Sequence, residues 1–93
     1  MKTTETFSEM ALEKLGIARK ALAQADGWLI DACLELEEGP ACKACVAMSQ
    51  LCNQLTVILR YWPSGVPGDG ALVAIALERM TTAVSDLTKH LGE

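Results

Sequence analysis

The feature that most constrains this chain is an uninterrupted heptad at its N-terminal end. Ala11, Leu15, Ala18, Leu22, Ala25, Leu29, Ala32 and Leu36 follow one another at alternating spacings of four and three. That period keeps one face of an α-helix apolar over more than three heptads, and no β-strand shares it. Leucine holds one seam position and alanine the other, so a neighbouring helix can approach closely at every second step. The phase runs through Asp26-Gly27, where glycine costs about 1 kcal/mol against alanine and is a point at which a helix can kink. One helix from about residue 7 to residue 38, about 48 Å long, is therefore predicted. Thr6-Phe7-Ser8-Glu9 has the form of a capping box at its start.

Gly39-Pro40 stops that helix and opens the next, as glycine and proline do in this order. A second helix is predicted over about 40–62, with the seam Ala41, Cys45, Met48, Cys52, Leu55, Leu59 and Trp62. Residues 61–70 contain three glycines and two prolines and read as a loop. A third helix over about 71–91 carries the seam Val73, Ala76, Met80, Ala83 and Leu87, with Leu77, Val84 and Leu91 beside it. Lys89 and His90 suit the negative end of its dipole. No stretch alternates with a period of two. The chain reads as all-α, one up-down-up bundle of three long helices in a single domain over residues 1–93.

Composition bears on what completes that bundle. Of the 93 residues 51% are hydrophobic, and mean hydropathy is +0.23. A chain this short has little interior in which to bury so much apolar surface, and self-association is the simplest cover. Charge is also unevenly spread. Between Pro40 and Leu77 only Lys43, Arg60 and Asp69 are charged, while Asp31, Glu35, Glu37 and Glu38 crowd the end of helix one. The side of helix two opposite its seam is Val46, Ser49, Asn53, Thr56 and Arg60, polar but nearly uncharged. An exposed helix face normally carries charges. Interface centres are depleted in them, so these five residues are the candidate interface, covered by a second copy or a partner. The acidic cluster reads as a solvated turn, with a docking patch for a basic partner as the alternative.

Several function classes are disfavoured. A net charge of −4 gives no basic stripe for nucleic acid. The most extended uncharged run, Ala44 to Leu59, is broken by five polar residues and falls short of a ~20-residue membrane span. Met1 to Met10 holds Glu5 and Glu9 and is not the pattern of a signal peptide, so a cytoplasmic, reducing setting is expected, in which thiols stay free. The single histidine, His90, has no spaced acid or cysteine partner, and no serine sits in a nucleophile-elbow context. No enzyme and no cofactor is expected.

The cysteines carry the remaining chemistry. Cys42-Lys-Ala-Cys45 opens helix two, where a dipole favours thiolate, yet the redox motif ordinarily follows a strand. Cys33 is placed to approach that pair across the hairpin, and three thiols are enough for a soft ion such as copper(I), or for zinc with a fourth ligand. Cys52 is about 10 Å further along the axis from Cys45 and cannot join them. Cysteine as a small buried hydrophobe is the simpler reading. Trp28, Tyr61 and Trp62 are candidate ligand or partner contacts, or plugs for the bundle end. The chain is thus expected to be a helical interaction protein, such as an adaptor, inhibitor or chaperone-like binder, working as a homo-oligomer or with a protein partner. A thiol or soft-metal binder using Cys33, Cys42 and Cys45 is the alternative, and a small-ligand bundle lined from Trp28 or Trp62 the third.

Overall fold

The computed structural model describes residues 7–63 and 68–92. Three helices account for nearly all of them: α1 (Glu9–Glu35), α2 (Pro40–Tyr61) and α3 (Asp69–Leu91), with no strand among the described residues. The all-α class and the three-helix order expected from periodicity are both present.

Helix ends follow local chemistry, and several differ from the expected ones. Ser8, not Thr6, caps α1, its hydroxyl accepting a hydrogen bond from the Ala11 amide at 3.1 Å. Thr6 lies outside the described residues. The helix runs unbroken through Gly27 and stops at Glu35, three residues early, where Leu36 turns extended and donates its amide to the carbonyls of Ala32 and Cys33. Pro40 occupies the first turn of α2, where a missing amide costs nothing. Gly68, the residue before α3, has φ of +95°, a left-handed conformation that glycine adopts without a Cβ penalty. Helix α3 begins at Asp69 rather than residue 71, and residues 64–67 of the expected loop lie outside the described residues.

The helices do not close into a triangle. α1 packs on α2 and α2 packs on α3, while α1 and α3 do not meet. The chain is an open layer with α2 in the middle, measuring 47 × 23 × 17 Å. Its radius of gyration is 15.3 Å, against about 12 Å for a compact domain of this length. This placement accounts for part of the charge shortage in α2, because two sides of that helix are covered within one chain.

The covered sides are built from small residues. Toward α1, Cys42 meets Cys33, and the buried Ser49 donates its hydroxyl to a carboxylate oxygen of Asp26. Toward α3, Ala44, Ala47 and Gln54 are buried against a helix whose own buried residues are Ala76 and Ala83. Among the described residues no large side chain is fully buried. Small residues at the seams allow close helix approach, as the alanine repeat implied, but they leave the large apolar groups outside.

Candidate interaction site

Helical geometry defines what the open layer presents on its two broad sides. In α2 the residues facing α1 and those facing α3 lie nearly opposite one another, which leaves two free stripes. One stripe holds Lys43, Val46, Gln50, Asn53 and Arg60. It is continuous with Arg19 and Asp26 of α1 and with Arg79 and Asp86 of α3, and it forms the front of the layer. The other stripe holds Ala41, Met48 and Leu55. It forms the back, with Met10, Ala21, Ala25 and Trp28 of α1 on one flank and Leu77, Val84 and Leu91 of α3 on the other.

The two sides differ in charge. Arg19, Asp26, Lys43, Arg60, Arg79 and Asp86 share the front. Among the described residues the back carries only Lys14 and Glu35, which share one heptad stripe at the two ends of α1. The back is also apolar where it is exposed: Trp28 is 72% accessible, Leu77 53%, Val84 48% and Leu55 37%. Even its hydroxyls are spent. Thr81 donates to the Leu77 carbonyl at 3.0 Å and Thr88 to the Val84 carbonyl at 2.9 Å, so both threonines have their hydroxyl hydrogens engaged within α3.

The sequence-derived interface set is divided by this arrangement. Val46, Asn53 and Arg60 are exposed on the front, and Thr56 is half-buried with its hydroxyl on the Cys52 carbonyl at 2.9 Å. Ser49 does not belong with them. It is buried at 3% accessibility and engaged by Asp26, because α1 packs on that side of α2. Of the residues read as the inward seam of α2, Cys45, Met48, Cys52, Leu59 and Trp62 are half-buried, while Ala41 and Leu55 are exposed and lie with Met48 along the back. Their signal in the sequence was the absence of any charge along that stripe.

The aromatic candidates are separated as well. Trp62 follows α2 and stacks edge-on against Phe7, ring centroids 4.9 Å apart, which ties the start of α1 to the end of α2. Tyr61 lies under the Arg60 guanidinium at 5.6 Å. Trp28 stands exposed on the back edge of α1.

Nor are the three candidate thiols assembled as a ligand set. Cys33 and Cys42 are joined as a disulfide across the α1–α2 turn, with Cα atoms 4.7 Å apart, while Cys45 and Cys52 are free and half-buried. The expectation that all four thiols stay free is corrected for this pair: the short turn brings the last turn of α1 beside the first turn of α2. Among the described residues no group of three or more His, Cys, Asp or Glu side chains is placed to hold a metal.

Two shallow clefts lie between the helices. One, of about 300 Å³, is lined by Lys43, Val46 and Gln50 of α2 and by Ala83, Asp86 and His90 of α3, with Glu38 and Cys42 at its end. The other, of about 400 Å³, lies between Leu12, Leu15 and Arg19 of α1 and Leu59 and Arg60 of α2. Neither is lined by Trp28 or Trp62. Among the described residues no helix is long and apolar enough to cross a membrane. No protein-family model, curated protein or solved structure matches the chain.

Proposed function

We propose that this chain is a small helical protein–protein interaction module that works as an oligomer. The observation that carries the reading is the mismatch between apolar content and interior. Half of the sequence is hydrophobic, yet among the described residues the buried apolar ones are four alanines, Ala44, Ala47, Ala76 and Ala83. Total accessible surface is 6725 Å², against about 5,200 Å² for a compact monomer of this mass. The excess of about 1,500 Å² on one chain is larger than the about 800 Å² that each partner loses in an interface of ordinary size. An adaptor, inhibitor or chaperone-like binder fits this surface.

A second reading draws on the Cys33–Cys42 disulfide with the free Cys45 one turn beyond Cys42. It makes the hairpin a thiol-exchange element, not a metal site. Native mass spectrometry of gently purified protein tests both. A clean multiple of the chain mass supports the interaction module. A monomer whose mass carries a thiol adduct moves the function to the cysteines.

A further inference from the structure

We infer that the back of the layer is the docking surface, and that its occupant is the same face of a second copy of this chain. The inference rests on the interaction reading above and names its partner and its face.

Area is the first support. A face of 47 × 23 Å is about 1,100 Å² per copy, so stacking two copies covers about 2,000 Å² in all, within the range of stable dimers. On this face Met10, Trp28, Leu55, Leu77, Val84 and Leu91 are all exposed, a concentration of large apolar groups that monomers seldom leave in water.

Symmetry is the second. In a two-fold dimer each residue near the axis meets its own counterpart, so a charge there faces an identical charge. The row Ala41, Met48 and Leu55 runs along the middle of the back and contains no charge, and α3 adds none on that side. A partner of different sequence is ordinarily distinguished by complementary charge, and the back offers only Lys14 and Glu35, both at the ends of α1 and away from its middle row. The front, with Arg19, Lys43, Arg60 and Arg79 against Asp26 and Asp86, remains in water and keeps the dimer soluble.

Face-to-face stacking places α2 of one copy across α2 of the other, flanked by Trp28 on one side and Leu77 and Val84 on the other. The alanines of α1, Ala21 and Ala25 among them, allow the opposing layer to come close. The result is a two-layer, six-helix body in which the large side chains left outside each layer become the shared core.

Two paired variants of the full-length, oxidised chain test this, with native mass and far-ultraviolet circular dichroism as readouts. L55E with L77E charges the back, and V46E with L72E charges the front. The inference expects wild type to be dimeric, the back variant to fall to a monomer with its helicity retained, and the front variant to stay dimeric. An oligomer broken by the front variant and untouched by the back one overturns the inference while the interaction reading stands. A monomeric wild type overturns both. Should the back variant lose its helicity, Ala41→Glu decides, because this exposed position is in the first turn of α2, where an acid suits the helix. Loss of the dimer supports the inference, and an unchanged mass overturns it.

Discussion

Ser49, buried in the middle of α2, donates its hydroxyl to the carboxylate of Asp26, in the second half of α1. It is a polar link between α1 and α2 in a seam rich in alanine, leucine and cysteine, and it favours one register between the two helices. A hydrogen bond to an ionised acceptor contributes more than a neutral one, and removing the donor leaves a half-buried carboxylate poorly solvated. Ser49→Ala is expected to cost about 1.5–3 kcal/mol in urea unfolding. A double-mutant cycle with Asp26→Ala should assign most of that to the pair. A loss below about 0.5 kcal/mol would mean that the bond contributes nothing in solution.

The Cys33–Cys42 disulfide closes a loop of nine-residue sequence separation. Chain-entropy reasoning gives such a closure about 2.5–3 kcal/mol through the unfolded state. Reduction, or Cys33→Ser, should lower stability by that amount, whereas Cys45→Ser should leave the reductant sensitivity unchanged. Thiol titration of the unfolded, unreduced protein should find two of the four cysteines reactive. Four reactive thiols would show the pair to be open.

Two glycines should respond to alanine in opposite directions. At Gly27, inside α1, an added Cβ meets nothing within 4 Å, so Gly27→Ala should stabilise the protein by about 0.5–1 kcal/mol. At Gly68, φ of +95° forces an alanine into the left-handed region, so Gly68→Ala should destabilise it by about 1–2 kcal/mol. Thermal unfolding monitored at 222 nm reads both signs.

The Phe7–Trp62 pair provides an optical probe of how the start of α1 meets the end of α2. In a Trp28→Phe background only Trp62 fluoresces. Phe7→Ala should then shift its emission to longer wavelength and cost about 0.5–1.5 kcal/mol beyond lost area. Unchanged emission would place Phe7 elsewhere.

Much of the fold was legible in the spacing of a few residues. The α1 heptad holds from Ala11 to Leu29, all of them at least partly covered, and the α3 seam holds from Val73 to Leu87. The α1 repeat then fails at Ala32 and Leu36, which are exposed, while Cys33 turns inward. A strict seven-residue repeat drifts about 20° per heptad on a straight helix, so three heptads carry it off the contact. Leu36 also falls outside the helix altogether, as its C-cap.

The site was harder to read, and for a physical reason. Periodicity reports which stripe of α2 is apolar but not which side its neighbours occupy. With α1 on the Cys42 and Ser49 side and α3 on the Ala47 and Gln54 side, the apolar row of Ala41, Met48 and Leu55 lies between them, its ends exposed and Met48 half-buried. The small residues on those two opposite sides of α2 were the signal that it has a neighbour on each. Local pattern alone did not show that Ser49 is paired with Asp26, because that pairing depends on the register between two helices.

Because α1 and α3 do not pack on each other, the described residues form two helical hairpins sharing one strut, α2. Such a topology has low contact order, and chains of that kind fold in microseconds to milliseconds. It also makes the two seams energetically separable, as neighbouring units are in repeat proteins. A lesion at Ala76 or Ala83 should loosen α3 and leave the α1–α2 hairpin standing, its ends held by a covalent bond that does not depend on α3.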